Sequence, residues 1–89
     1  MSFADTVAAL ARITHCGITP GQTFQHHETE GVYVVIAIGL NEADLEPLVH
    51  YRDADDEDAT VWTRHLDAFC GQAVSKSTGL LVKRFTPVS

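Results

Sequence analysis

The side chains able to do chemistry are concentrated in residues 45–69 of this 89-residue chain, LEPLVHYRDADDEDATVWTRHLDAF. Two strand-like runs flank an acidic tip, so Glu46, His50, Tyr51, Trp62, Arg64 and His65 fall within one expected antiparallel hairpin. Trp62 and Arg64 are two residues apart and project to one strand face, with Tyr51 opposite them and Val49 and Leu45 as its face-mates. An aromatic floor beside one guanidinium suits stacking of a planar ligand such as a nucleobase. The commoner use of Tyr51 and Trp62 in so small a chain is as the largest pieces of its core. Glu46 and Arg64, opposed across the hairpin, read first as a bidentate pair that orders the sheet. If a cavity separates them, Arg64 binds a carboxylate or phosphate and Glu46 a sugar hydroxyl or an amine.

The other reactive side chains lack the spacing that would localise a site. His26 and His27 are adjacent and point to opposite faces of a strand, and His15, Cys16, His50, His65 and Cys70 show no i, i+2 or i, i+4 ligand pattern, so no metal site is expected. Asp53, Asp55 and Glu57 match the first three odd positions of a calcium loop, but Asp58 stands where that loop needs glycine and Arg64 where it needs glutamate. The tip therefore reads as a solvated cap that keeps other chains off the strand edge. Cys70 has no neighbouring cation to lower its pKa and reads as a buried structural thiol. No glycine-rich phosphate loop occurs, and neither a catalytic residue nor a cofactor is assigned. His50 and His65 are the side chains best placed for general base work.

Charge and length bound the rest. Six Lys and Arg against twelve Asp and Glu give a net charge of −6, which works against nucleic-acid binding because phosphate contacts need cations. Ten of those acids lie between Glu28 and Asp58, against Arg52 alone. Eighty-nine residues with 45% hydrophobic content make one domain. A chain of this size buries only about 60–65% of its unfolded surface, so a homodimer interface would add materially to its stability. Neither a signal-like N-terminus nor a membrane-length apolar run occurs, and the two cysteines are widely separated, which together point to a cytoplasmic protein with reduced thiols.

The elements that must position the hairpin follow from periodicity. Ser2 and Asp5 form a loose capping box, Phe3, Val7, Leu10, Ala11 and Ile13 keep helical spacing, and Gly17 stands where a helix stops, so residues 1–17 are an N-terminal helix packed on a β domain of residues 18–89. Thr19, Pro20 and Gly21 make a turn. Strands are expected at 23–26, 32–38, 45–52, 60–64 and 80–85. The 32–38 run VYVVIAI is apolar on both faces, as in a strand buried on two sides. Pro47 argues for an edge position or bulge near its strand's start, residues 67–69 for one helical turn ended by Gly71, residues 75–79 for a loop, and Pro87 for the end of the last strand. The fold class is mainly β within α+β, a small strongly bent antiparallel sheet or SH3-like barrel preceded by one short helix.

Gly31-Val32-Tyr33, the aliphatic run 34–38, Leu45-Glu46-Pro47-Leu48-Val49-His50-Tyr51, the acidic loop and Trp62-Thr63-Arg64-His65-Leu66-Asp67-Ala68-Phe69 occur in that order. As an ordered set they resemble the bacterial domain family of unknown function DUF1653, over roughly residues 18–85. Phe24 and His27 stand where that family tends to have tyrosines, and His65 where many members have proline. The resemblance implies a compact β-rich domain and names no reaction. The residues themselves favour a non-enzymatic binding module whose Tyr51, Trp62 and Arg64 face takes a small planar or anionic ligand or a protein partner, with Glu46 and His50 as further contacts. An enzyme acting on a nucleotide-like or polar metabolite, with Glu46 or His50 as acid or base and Arg64 as anion clamp, is the second reading. A structural or regulatory interaction domain is the third.

Overall fold

Residues 3–56, 58 and 60–88 are described by a computed structural model of the chain. Helix α1, Phe3–Cys16, buries only Ala9 fully and turns Ile13 and Cys16 toward the core. Gly17 ends it at φ 73°, where its amide donates to the Ile13 and Thr14 carbonyls at 3.2 and 3.1 Å; a residue without a Cβ enters this left-handed stop without strain. Ser2 of the expected capping box lies outside the described residues, as do Glu57 and Ala59 of the acidic tip.

Among the described residues seven strands and one short helix follow: β1 Thr23–His26, β2 Val32–Leu40, β3 Pro47–Asp53, β4 Trp62–His65, α2 Leu66–Cys70, β5 Gln72–Val74, β6 Leu81–Lys83 and β7 Phe85–Pro87. The main sheet runs β4-β3-β2-β1-β7, antiparallel throughout, and β5 with β6 forms a separate hairpin. The architecture is α+β with an open sheet: β4 and β7 are its two edges and do not close into a barrel.

Three expectations about strands change. The apolar run in β2 is not buried on both sides, since Val35 alone is fully buried and Ile36 is 41% exposed. A bulge explains the pattern: Val35 pairs with Tyr51 and Ala37 with His50, so Ile36 is unpaired and the inward face shifts from Tyr33 and Val35 to Ile38. Residues 80–85 are not one strand. The chain breaks at Arg84, whose amide donates to the Gly71 carbonyl at 3.0 Å and whose guanidinium donates to the Ala68 carbonyl at 2.8 Å. Pro87 lies inside β7 rather than beyond its end, tolerated because β7 is an edge strand. Strand β5 was not expected, being three residues long with no alternation to mark it.

The core comprises Ile18, Phe24, Val35, Val49, Tyr51, Leu66, Phe69 and Phe85. Its centre is the stack of Phe69 from α2 on Phe85 from β7, with centroids 4.1 Å apart at 7°. Phe24 meets Phe69 edge-on at 5.2 Å, and Tyr51 meets both phenylalanines at 5.4 and 5.5 Å. Gly71 lets the chain leave α2 directly for β5: a Cβ there would stand 2.7 Å from the Asp67 carbonyl oxygen. Leu66, 1% exposed, carries the first contact of α2 with this core. Leu66→Ala should therefore lose about 2–5 kcal/mol in urea denaturation. Leu81→Ala on the exposed β6 should change stability by no more than about 0.5 kcal/mol.

Candidate functional site

Strands β3 and β4 pair with Tyr51 opposite Trp62, Val49 opposite Arg64 and His50 opposite Thr63. Strand alternation thus puts Val49, Tyr51, Trp62 and Arg64 on the inward face, and His50, Thr63 and His65 on the other. A cleft of about 360 Å³ opens on that inward face. Tyr33, Tyr51, Trp62 and Phe85 give it aromatic walls; Arg64, His26, Thr29 and Asp53 give it polar ones.

Tyr51 is in the core at 6% exposure, whereas Trp62 is 50% exposed. The expected use of Trp62 as a core residue is therefore corrected: β4 is an edge strand, and its one indole covers the mouth of the cleft rather than the interior. Arg64 does not pair with Glu46. Its Nε donates to the Tyr51 hydroxyl at 3.4 Å, and its guanidinium carbon lies 5.6 Å from the centre of the Phe85 ring, a cation–π arrangement. Among the described residues Arg64 makes no ion pair with a carboxylate.

Glu46 lies elsewhere. The loop between β2 and β3 closes with the Leu45 amide donating to the Asn41 carbonyl at 2.7 Å and the Glu46 amide to Asp44 Oδ1 at 3.0 Å. Leu45 there has φ 59°, so it is in the loop rather than on the strand face expected for it. The Glu46 carboxylate accepts from Arg12 Nη1 at 3.2 Å, while Arg12 Nη2 donates to Asp67 at 2.7 Å. One arginine of α1 thus bridges the β3 entry and α2, and its own pKa is raised by the bond to Asp67 and then that to Glu46. His50 Nδ1 meets the Thr63 hydroxyl at 3.0 Å on the outer face. Neither Glu46 nor His50 lines the cleft that holds Arg64.

Five residues of the cleft, Thr29 among them, were not singled out by sequence as its walls. Asp53 and Tyr33 were reachable, because they pair directly across β3 and β2. His26 and Phe85 were not, because they are joined by the β1–β7 pairing of segments nearly sixty residues apart. His26 Nδ1 accepts the Glu28 amide at 3.2 Å, leaving Nε2 as the protonated nitrogen of the neutral ring. His26 stands edge-on to Phe85 at 5.0 Å and stacks on His27 at 5.0 Å. Burial lowers its pKa from the usual 6.5, and the neighbouring His27 and Arg64 lower it further. No group of three or more His, Cys, Asp or Glu is placed to hold a metal ion among the described residues. In the acidic tip, Arg52 Nη1 donates to the Asp53 carbonyl at 2.9 Å.

Cys70 and Cys16 are free thiols that face each other beneath the end of α1. Burial, and then the hydrogen bond with Cys16, push the Cys70 thiol up to about 12. A thiol so suppressed is a poor nucleophile.

The sequence model of the DUF1653 family, described as a protein of unknown function, matches residues 22–87. The chain belongs to that family. Helix α1 precedes the matched segment. No curated protein and no solved structure matches the chain.

Two titrations check the electrostatics. The His26 ring should titrate below 6.5 by NMR, so its contribution to stability is present above that value and is lost as pH falls through its folded pKa. Arg64→Gln should move the His26 midpoint upward by removing a like charge. For Cys70 the sign is opposite. Alkylation by iodoacetamide should stay slow in the folded chain at pH 9, where the unfolded chain reacts readily, and the thiol's stabilising contribution is lost as pH rises toward 12.

Proposed function

We propose that this protein is a small-ligand binding module and that its site is the cleft walled by Tyr51, Trp62 and Arg64. The observation that carries this reading is Arg64. It is held from one side by the Tyr51 hydroxyl and from its face by Phe85, and no described carboxylate neutralises it. A cation fixed by aromatic groups, at the edge of a cleft with a half-exposed indole, matches the needs of a planar anionic ligand. Stacking on Trp62 supplies affinity that does not depend on the identity of the ring, on the order of 1–3 kcal/mol. Arg64 supplies orientation.

The enzymatic reading drawn from the sequence needs Glu46 or His50 as acid or base in the same cleft. Glu46 and His50, the two residues first considered for that role, lie outside it, the former paired with Arg12 and the latter on the outer sheet face. A binding module, with His26 and Asp53 as polar contacts of the cleft, therefore fits the arrangement better than a catalyst built on Glu46 or His50.

The Trp62 indole N–H resonance, followed while a panel of planar metabolites is added, tests the reading. Nucleotides, nicotinate and adenine should include at least one compound that shifts it in a saturable way. Trp62→Phe should keep the unfolding midpoint within about 0.5 kcal/mol of the parent, because the ring is half in solvent, while lowering affinity. A panel that leaves the indole unmoved would sink the proposal.

A further inference from the structure

The order of groups along the cleft narrows the ligand's chemistry, on the basis of the binding-module reading above. On the inward face β3 presents Val49, Tyr51 and Asp53 in succession, and β4 sets Arg64 against Val49 and Trp62 against Tyr51. The aromatic rung of Tyr51 and Trp62 therefore has the cation one rung to one side and the Asp53 carboxylate one rung to the other. Successive same-face rungs are about 7 Å apart along a strand. The two ends are therefore about 14 Å apart at the backbone, a span that one aromatic ring with a substituent at each end fills when a hydrogen bond of about 3 Å is added at each end.

The cationic end is a set of donors. Arg64 and His26 both rest against the Phe85 ring, the guanidinium over its face and the imidazole at its edge. The Nε of Arg64 is occupied by the Tyr51 hydroxyl, which leaves its two Nη groups as a fork of parallel donors. His26 has its Nδ1 taken by the Glu28 amide and adds an Nε2–H donor. The opposite end carries the Asp53 carboxylate, beside the tip that also holds Asp55, Asp56 and Asp58, with the Tyr33 and Thr29 hydroxyls in the same cleft.

We infer that the cleft takes a flat ring bearing a single carboxylate at one end and an N–H or amino donor at the other, with the carboxylate on Arg64 and the donor on Asp53. A fork of two guanidinium N–H groups fits a carboxylate bidentately. A phosphate would fit the fork as well, but its second negative charge is opposed by Asp53 and by the acidic tip, so the same site discriminates against a dianion.

Four probes separate these demands: 4-aminobenzoate, benzoate, aniline and phenyl phosphate, each titrated into the full chain with the Trp62 indole as reporter. The expected order of affinity is 4-aminobenzoate above benzoate, and both above phenyl phosphate and aniline. Arg64→Lys should weaken 4-aminobenzoate about tenfold or more, because an ammonium cannot supply the fork. Asp53→Asn alters an exposed side chain and leaves the fold intact. It should abolish the advantage of 4-aminobenzoate over benzoate and strengthen phenyl phosphate several-fold. Phenyl phosphate binding as well as benzoate, or aniline binding as well as both, overturns the ligand class while leaving the cleft as the site. If none of the four probes moves the indole but an uncharged ring such as adenine does, the class is again wrong and the site stands. If no ring of any kind moves it, both readings fail together.

Discussion

The contact on which the rest of the structure depends is the parallel stack of Phe69 on Phe85. It joins a five-residue helix too short to persist alone to a three-residue edge strand with the same weakness. Every other aromatic of the core leans on one of these two rings, and Phe24, Tyr33 and Tyr51 meet them edge to face. The pair also sets the back wall of the cleft, since Phe85 is at once a core residue and the surface beneath Arg64 and His26. Stability and site geometry are therefore two properties of one ring. A change that tilts Phe85 moves the cation above it.

The placement of arginines divides the labour of the basic residues. Arg12 is consumed by Glu46 and Asp67, Arg84 by the Ala68 carbonyl of α2, and Arg52 by backbone carbonyls of the acidic tip. Each of these ties segments of chain together. Arg64 differs in kind, because its neighbours are a phenol and a phenyl ring, which position a guanidinium without neutralising it. In a protein with twice as many acids as bases, a cation with which no described carboxylate pairs is an unusual use of charge.

Much of the fold was legible because the signals were local. Gly17 marked the helix end, β-branched and aromatic residues marked β1 to β4, and the two-residue spacing of Trp62 and Arg64 put them on one face. The family followed from the ordered motifs. What stayed hidden was non-local or too short to have a period. Strands β5, β6 and β7 hold three residues each, and β7 joins the sheet beside β1 rather than beside its sequence neighbours. The cleft was half legible for the same reason. Its Tyr51, Trp62 and Arg64 share a hairpin, but Phe85 and His26 arrive through the distant pairing. Glu46 was misplaced because the residue that captures it, Arg12, belongs to a helix thirty-four positions upstream.

The bulge at Ile36 has a consequence for how this sheet can change over time. It divides β2 into two stretches of opposite phase, odd-numbered residues facing inward before it and even-numbered ones after. Losing that one residue would restore simple alternation, with Ala37 still opposite His50 and Ile38 still opposite Val49, and so leave both inward stretches where they are. The half of β2 that lines the cleft is thereby insulated from the half that leads to the Arg12 clamp. A single insertion or deletion in a regularly paired part of β2 would instead turn over every residue on one side of it, so Ile36 marks a place where the strand absorbs a change of odd length.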